Sequence, residues 1–441
     1  MPTTSSSEAL QSDPSPSGRE DQTMGRNRRL TLVASLYSTQ NLCLAAYNYT
    51  FLIAAQKTGS SLEMIGAAAG LALIIVLKFV WAPLIDRFGW QRLGHYRGWL
   101  ILCHSALTIG ALVLVFLDPG RDFTIILVVF ATMFVFAGTQ DVAADATTTR
   151  LLGSADRGIG NGTQAAGASF AQVVGGGLLL VISGRFGWSI AMIVLAILSA
   201  VPLAFILSWS EQQTSMHLAR PHVTPRTILR FFRRPGVVRW AFVIMPLYVL
   251  GGTISYNLLR PMLTKADWSE DQLGLVVVVG GGVAGTLSGL LGGWTIAKLG
   301  RRKALLWLGI VQLIGTAGTI WLSFNPTSIA TAVFVTLLSN AGFAAASAVT
   351  LTITMDLTRV ESSGTDFTAL TTISSVFMVV ASGSGVALSG SAGFTNVSIV
   401  ATAIAAVGLV ITYATIQAVL KHTTPASSLP DNDTSETKEE A

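Results

Sequence analysis

Long apolar stretches alternate with short polar segments along almost the whole chain. A hydrocarbon core of about 30 Å needs roughly 20 apolar residues per helix, and a scan with that length predicts about twelve membrane-spanning helices. The spans lie near 30–54, 62–83, 98–117, 123–146, 158–182, 188–209, 239–259, 272–297, 303–323, 328–354, 366–389 and 394–420. The predicted fold class is therefore an all-α polytopic membrane protein.

Composition agrees with this pattern. Hydrophobic residues make up 51% of the chain and charged residues only 12%, with a mean hydropathy of +0.60. An ordinary soluble domain carries about 25% charged residues. The 43 glycines suit tightly packed membrane helices. The net charge of +5 would suggest nucleic acid in a soluble protein, but the placement of Lys and Arg explains it better, so we expect lipid and no nucleic acid as a partner.

Lys and Arg are distributed unevenly between alternate loops. If the N-terminus is cytoplasmic, 22 of the 28 Lys and Arg residues lie on the cytoplasmic side and 5 in the opposite loops. The positive-inside rule then predicts that both termini are cytoplasmic. The Ser/Thr/Pro-rich tails at 1–28 and 422–441 are predicted to be disordered. Between them we expect a first half at 29–210, a basic linker at 211–238 and a second half at 239–421.

The two halves share an internal repeat. The segment APLIDRFG begins at Ala82, and GWTIAKLG begins 211 residues later, at Gly293. With the same offset, Gly89 matches Gly300, Arg87 matches Lys298, and Asp145 matches Asp356. Several matches in one register indicate two homologous six-helix halves. Transporters built in this way bind substrate near the membrane midplane and rock one half against the other.

The sequence offers no cofactor or metal site. Cys43 and Cys103 lie in apolar stretches, and the five histidines show no metal-ligand spacing. The run GGGVAG at 280–285 lacks the Lys-Ser/Thr of a P-loop and is typical of close helix packing. We therefore expect neither an enzyme nor an ATP-driven pump, and uphill transport would need an ion gradient.

The repeated segment resembles the signature of the major facilitator superfamily, G-x-x-x-D-[RK]-x-G-[RK]-[RK]. The copy GWTIAKLGRR departs from it only at Ala297, which replaces the acid, and the first copy keeps the acid as Asp86 but has Ala82 for the leading glycine. The resemblance implies a twelve-helix transporter that acts as a monomer. It assigns gating to these motif residues: Asp86, Arg87, Gly89, Gly293, Lys298, Gly300 and Arg301.

A narrower resemblance concerns the cargo. LKFVWAPLIDRFG, RGWLIL and GTQDVAADA resemble the AmpG-like branch, while SLYSTQNL, SLEMIG and SGTDFTAL are more similar to siderophore permeases of the RhtX/FptX type. These resemblances imply import of a siderophore-like chelate with protons across the inner membrane of a bacterium. The alternatives are a muropeptide permease or a receptor that does not transport.

Buried charges are candidates for coupling. Lys78 lies about 24 Å into the second span at 1.5 Å per residue, where it could snorkel to the headgroups or contact an anionic substrate. The family resemblance implies that the second and fourth helices lie side by side, so Lys78 could also pair with Asp141 of the fourth span. Asp141 and Asp145 share one helical face. We expect proton coupling or structural pairing for Asp141. For Asp145 we expect a gate network near water and Arg150, with proton carriage as the alternative.

The acids near the loops suggest gating or local structure. In the family, the acid at Asp86 keeps the cytoplasmic side closed by facing the N-terminus of the eleventh helix. Ala297 cannot repeat this, so we expect asymmetric gating. For Asp356 the simplest expectation is a partner such as Arg359, and for Asp366 it is helix capping.

Polar and aromatic groups inside the spans could face a substrate cavity, or could instead be hydrogen-bonding links between helices. Gln40, Tyr47 and Asn48 fall at spacings typical of one helical face. The cavity candidates are Tyr37, Gln40, Asn41, Tyr47, Asn48, Gln164, Gln172, Tyr248, Tyr256, Asn257 and Asn340.

Overall fold

The computed structural model describes residues 24–58, 64–65, 68, 70–90, 92–211, 224–421 and 423. Within these residues all regular structure is helical, apart from one isolated bridge between Trp90 and Gly94. The predicted disordered tail at 1–28 is wrong at its end, because α1 begins at Arg26. Most of the rest of both predicted tails, most of the string SLEMIG and the centre of the linker lie outside the described residues. They stay predictions.

Nine helices in the described part of the chain are long and apolar enough to cross a membrane. The longest, Glu270–Phe324, bends at Gly300, where φ is +75°. Glycine adopts this conformation without strain, so the apolar run turns back and crosses twice. Two further crossings consist of shorter helical pieces, at 26–57 and 70–87. The predicted all-α fold with twelve helices in two six-helix halves is confirmed.

We number the twelve helices in chain order. They are α1 (26–57), α2 (70–87), α3 (His95–Leu114), α4 (Phe123–Leu151), α5 (Ser154–Phe186), α6 (Trp188–Ser208), α7 (Val237–Lys265), α8 (270–299), α9 (301–324), α10 (Ile329–Leu357), α11 (Ser363–Ala392) and α12 (Phe394–Leu420). A short helix at Pro225–Phe232, here called the loop helix, lies between the halves.

Helices α1 and α2 are irregular. α1 changes from α to π geometry at Ala46–Phe51, and π segments also occur at Gln172–Leu178 in α5 and Gly274–Gly280 in α8. In α2 a 3₁₀ turn at Leu77–Val80 precedes a new α piece at Ala82–Arg87. Pro83 lies in the first turn of that piece, so it begins a helical segment. Such irregular turns often accompany functional hinges.

The two halves pack most closely along α5 and α8. A Cβ added at Gly162 would lie 2.5 Å from the Cα of Gly293, and one added at Gly282 or Gly285 would meet Val173 or Ser169. Only glycine permits such an approach between two backbones. The leading glycine of the second motif is therefore a packing position, and the GGGVAG run serves helix packing as the sequence indicates.

The two ends of the bundle carry different groups. The motif end contains Asp86, Gly300, the loop helix, the C-termini of α4 and α10, and the N-termini of α5 and α11. The opposite end contains Lys57, Arg121 and Arg185. The expectation that the motif end is cytoplasmic stays a prediction.

Candidate functional site

The acid of the first motif contacts the second half of the chain. Asp86 is buried, and its carboxylate accepts hydrogen bonds from the backbone N–H of Thr365 (2.7 Å), the hydroxyl of Thr365 (2.6 Å) and the hydroxyl of Tyr96 (2.7 Å). Thr365 lies in the first turn of α11, where free N–H groups and the helix dipole favour an anion. We call this group of Asp86, Tyr96 and Thr365 the first clasp.

Arg150 places a positive charge next to the first clasp. Its guanidinium carbon lies 4.5 Å from the centroid of the Tyr96 ring, a cation–π distance. Glu211 lies nearby and accepts from the backbone N–H of Arg97 at 2.8 Å. Burial raises the pKa of Glu211, and the Arg97 N–H and the charge of Arg150 oppose that rise. Charged residues therefore lie beside the first clasp: Arg97 of α3, Arg150 of α4 and Glu211, which follows α6.

The second half forms a different clasp on the first. Asp356, near the end of α10, pairs with Arg157 of α5 at 3.1 Å and with Arg301 of α9 at 2.8 Å. Arg301 also donates to the backbone carbonyl of Ser154 at the start of α5. We call the group of Ser154, Arg157, Arg301 and Asp356 the second clasp. It ties the start of α5 to the second half, as the first clasp ties the start of α11 to the first half.

Several expectations about these charges are wrong. Asp356 does not pair with Arg359, because Arg359 forms a two-pronged pair with Asp366, at 2.7 Å to each carboxylate oxygen. These hydrogen bonds raise the pKa of the Arg359 guanidinium, which therefore stays charged. Asp366 is consequently an ion-pair partner and does not cap α11, whose N-cap is Ser362.

The repeat offset also misaligns two acids. Asp356 lies one residue before the last residue of α10, whereas Asp145 lies six residues before the end of α4. Asp145 therefore does not correspond to Asp356, because the loops of the two halves differ in length. The expectation that Asp145 lies near water and Arg150 is also wrong. Its exposed fraction is 1%, and Arg150 lies over the Tyr96 ring at the first clasp.

A buried charge cluster lies deeper in the first half. Lys78 of α2 forms an ion pair with Asp141 of α4, and both side chains are largely buried. One turn further, Asp145 accepts hydrogen bonds from the Tyr37 hydroxyl and the Gln164 amide, both at 3.0 Å. Lys78 also acts electrostatically on Asp145. The contact that the sequence suggests between Lys78 and Asp141 is present, and its role in transport stays a prediction.

The cluster contains two carboxylates, Asp141 and Asp145, and one ammonium group, Lys78, so its formal charges do not cancel. When both acids are ionised, the three side chains carry one excess negative charge. An excess charge is expensive inside a membrane protein. Binding of one proton by either acid would remove it. A proton on Asp145 would leave the ion pair of Lys78 and Asp141 intact, and proton exchange by the cluster stays a prediction.

The face proposed for α1 does not form. Asn41 has non-helical dihedral angles, and the π segment at Ala46–Phe51 changes the number of residues per turn. Tyr47 is consequently fully buried against Phe130 and Phe134, with its hydroxyl donating to a backbone carbonyl. Its assignment to a cavity is wrong, because it fills the aromatic core of the first half.

The other cavity candidates differ in their contacts. Gln40 and Asn48 are half-buried, and the Oε1 of Gln40 has no hydrogen-bond partner among the described residues. Asn257 and Asn340 donate to carbonyls one turn earlier in their own helices. The motif residues Arg87 and Lys298 are exposed at the motif end and lie over neighbouring aromatic rings, outside both clasps.

A polar bridge joins the halves near the π segments. The hydroxyl of Tyr256 in α7 donates to Gln172 of α5 at 3.3 Å, and the Gln172 amide donates to the Tyr49 hydroxyl at 3.3 Å. The Tyr256 ring stacks on Phe343, with 4.8 Å between centroids. We call Tyr49, Gln172, Tyr256 and Phe343 the cross-half bridge.

Sequence reasoning missed Arg157, Thr365 and Tyr49. The string SADRGIG at the start of α5 did contain a signal for Arg157, since a base in the first turn of a helix is unfavourable without an acidic partner. For Thr365 and Tyr49 only the fold reveals the partner. In the described residues no group of three or more His, Cys, Asp or Glu side chains could hold a metal ion.

Comparisons with known proteins agree with the architecture. The family model of the Major Facilitator Superfamily matches residues 33–382. In fold, the chain is similar to a bacterial homologue of the iron transporter ferroportin in an outward-facing state (TM-score 0.61, 15% identity, 89% of this chain and 100% of that one). It is similar also to FucP in the outward conformation (TM-score 0.60, 12% identity, 90% and 99%).

The relatives by sequence include bacterial proteins. The chain is 29% identical to an uncharacterized protein of Haemophilus influenzae over 60% of its length, and 24% identical to the putative transporter AmpG 4 of Rickettsia felis over 62%. It is 28% identical over 59% of its length to the anhydromuropeptide permease of Escherichia coli. These alignments span 63%, 69% and 54% of the relatives. With the family match covering most of the residues, the chain belongs to the major facilitator superfamily.

Proposed function

We propose that this protein is a proton-coupled secondary transporter that imports a siderophore-type metal chelate through the bacterial cytoplasmic membrane. One observation supports the coupling: α2 and α4 each carry residues of the buried charge cluster and charged residues at the first clasp. α2 holds Lys78 and Asp86, and α4 holds Asp141, Asp145 and Arg150. A change of charge in the buried cluster therefore acts on α2, which carries Asp86 of the first clasp, and on α4, whose Arg150 lies over the Tyr96 ring of that clasp.

The proposed cycle begins with the motif end closed by both clasps. A proton on the buried cluster neutralises its excess charge and allows α2 and α4 to move without a stranded carboxylate. The first clasp then releases α11, and cargo leaves on the motif side, which we expect to be cytoplasmic. Release of the proton on that side restores the charge and the closed arrangement. Both termini would lie on this side, and one chain would suffice.

The cargo proposal rests on chemistry in addition to the family strings. The cross-half bridge offers two phenol hydroxyls and one amide from both halves, and a ring stack of Tyr256 on Phe343 from the second half. Such groups suit a bulky organic ligand that carries both flat and hydrogen-bonding parts. A siderophore-type chelate has these properties. An anhydromuropeptide shares them, and the names of the Rickettsia and Escherichia coli relatives favour that second candidate.

One uptake experiment separates the candidates. Cells lacking the protein, and the same cells producing it, are given labelled ferric siderophores of several chemical types or labelled anhydromuropeptide, with and without an uncoupler. We expect uncoupler-sensitive accumulation of a siderophore only when the protein is present. Accumulation of muropeptide alone would support the second candidate. No uptake of either, with retained binding, would favour a receptor that does not transport.

A further inference from the structure

The loop helix has one buried and one exposed face. Thr224 and Thr227 form a capping box at its start, and Phe231 is fully buried in the core of the second half. On the opposite side Arg226, Arg230 and Arg233 are exposed, at the i, i+4 and i+7 spacing of one helical face. Leu229 lies between them with 55% of its surface exposed.

No carboxylate of the described residues pairs with these three arginines. A short helix that presents cationic and apolar groups together is typical of a membrane interface. Only residues 233–236 separate it from the start of α7, so it lies within about 17 Å of a membrane-spanning helix at about 3.4 Å per residue. Guanidinium groups bind phosphate oxygens in a two-pronged geometry. The exposed face therefore complements anionic lipid headgroups.

The buried face connects the loop helix to the first clasp. Arg359 lies over the ring of Phe231 at 5.2 Å, and Arg234 donates to the last carbonyl of α10 at 3.1 Å. Arg359 in turn holds Asp366, the residue after Thr365 of the first clasp. A helix fixed at the membrane surface would thus hold the α10–α11 turn in the position in which Thr365 meets Asp86.

We propose that Arg226, Arg230 and Arg233 bind the headgroups of anionic phospholipids, and that this binding favours the closed motif end. The partner is the lipid of the surrounding leaflet, held by phosphate charge and by insertion of Leu229 among the acyl chains. The site is separate from the cargo path and from the proton cluster, so its test does not depend on the identity of the cargo.

The test uses the purified full-length protein in detergent, titrated with phosphatidylglycerol or phosphatidylcholine. Native mass spectrometry should show bound phosphatidylglycerol, and the thermal unfolding midpoint should rise with that lipid and not with phosphatidylcholine. The variant R226Q/R230Q/R233Q should lose both responses. The variant K57Q/R121Q/R185Q removes the same charge at the opposite end and should keep them. R226K/R230K/R233K keeps the charge and should retain a response, which excludes misfolding as the cause.

A labelling assay tests the link to the clasp. In a chain with Cys43→Ser and Cys103→Ser, a cysteine is placed at the buried Ser363, next to the first clasp. Phosphatidylglycerol should slow its modification severalfold, and R226Q/R230Q/R233Q should abolish that protection. Equal lipid responses in this variant and in the unaltered protein would overturn the proposal.

Two other occupants of the helix are distinguishable. Inorganic phosphate or glycerol phosphate should not reproduce the lipid effect, and if either does, a soluble phosphate and not the membrane is the ligand. Deletion of 424–441, which carry several acidic residues, should leave the lipid response intact. If the deletion itself removes the protection of Ser363→Cys while lipid has no effect, the tail occupies the helix and the proposal is wrong.

Discussion

Arg150 and Asp356 occupy the same position, one residue before the last, in two helices of equal length, and they carry opposite charges. In the first half the acid comes from α2 as Asp86, and α4 supplies the base. In the second half α10 supplies the acid, and Arg301 at the start of α9 supplies the base. The two halves close the same end with their charges exchanged.

Asp356→Asn should open the motif end. The substitution leaves Arg157 and Arg301 without a carboxylate, and removing one partner of a buried pair costs about 3–5 kcal/mol. Spin labels at Leu93 and Leu299, exposed residues of the two halves at this end, report the opening as a longer distance. Glu270→Gln is the matched control, because its pair with Arg260 is exposed and such pairs contribute about 0–1 kcal/mol. Equal distances in the two variants would contradict a closing role for Asp356.

Asp86→Asn should weaken the first clasp more than Thr365→Val does. The asparagine amide cannot accept all three hydrogen bonds that the carboxylate accepts, whereas valine removes only the hydroxyl and keeps the N–H of residue 365. Each hydrogen bond to a charged group contributes about 1.5–3 kcal/mol. The same spin-label distance measures both effects. Arg87→Gln alters the neighbouring exposed motif residue and should leave the spin-label distance unchanged. If it lengthens that distance as much as Asp86→Asn does, the acid has no special role in closing the motif end.

Lys78 and Asp141 should show strong coupling in a double-mutant cycle. Lys78→Met leaves the buried Asp141 carboxylate without its partner and should cost about 3–5 kcal/mol of stability, whereas Asp141→Asn leaves Lys78 with Asp145 and should cost less. The double variant should regain most of that loss, as measured by thermal unfolding.

Transport by the same variants tests the proton role. Asp141→Asn should abolish accumulation of cargo and spare exchange of cargo between two compartments, because exchange needs no net proton movement. Proton uptake by proteoliposomes, followed with a pH-sensitive dye, should fall in parallel. If Asp141→Asn still accumulates cargo against a gradient, the proton is carried elsewhere, and Asp145→Asn becomes the decisive variant.

Gly162→Ala should separate α5 from α8. The new Cβ would lie 2.5 Å from the Cα of Gly293, a backbone atom that cannot turn aside. Overpacking of this kind costs about 1–3 kcal/mol, and thermal unfolding would report it. Gly184→Ala on the same helix has no atom within 4 Å of the added methyl group, and it should be neutral or stabilising by up to about 1 kcal/mol. The opposite order of stability would show that the two helices are not in close contact in solution.

Tyr256→Phe should change the affinity for cargo without loss of stability. It removes the hydroxyl that reaches Gln172 and keeps the stack on Phe343. We expect KM for uptake to change severalfold while the unfolding midpoint stays within a degree or so of the unaltered protein. Asn257→Ala is the neighbouring control, since among the described residues the Asn257 amide bonds only to its own helix. A larger effect of Asn257→Ala would move the cargo path to another face of α7.

Sequence reasoning gives the architecture well and the partners of side chains less well. Hydrophobic length alone predicts the twelve helices, and the family resemblance, which implies that the second and fourth helices lie side by side, brings Lys78 to Asp141. The spacing of residues along one helix is a weaker guide. It fails for Tyr47, since a π segment changes the phase of α1 within one turn. It fails for Asp356 as well, because its partners Arg157 and Arg301 depend on how two halves meet and on loop lengths. Contacts between the halves require the three-dimensional fold.

The bend at Gly300 limits how the motif end can open. Arg301 follows this residue directly, with no linker between α8 and α9. The side chain that holds Ser154 and Asp356 is consequently attached to two long helices. The nanosecond motion of a flexible loop cannot break these contacts of Arg301. These contacts can break only when packed helices shift together, which takes microseconds to milliseconds. The rate at which the motif end opens is therefore set by the collective motion of the whole half.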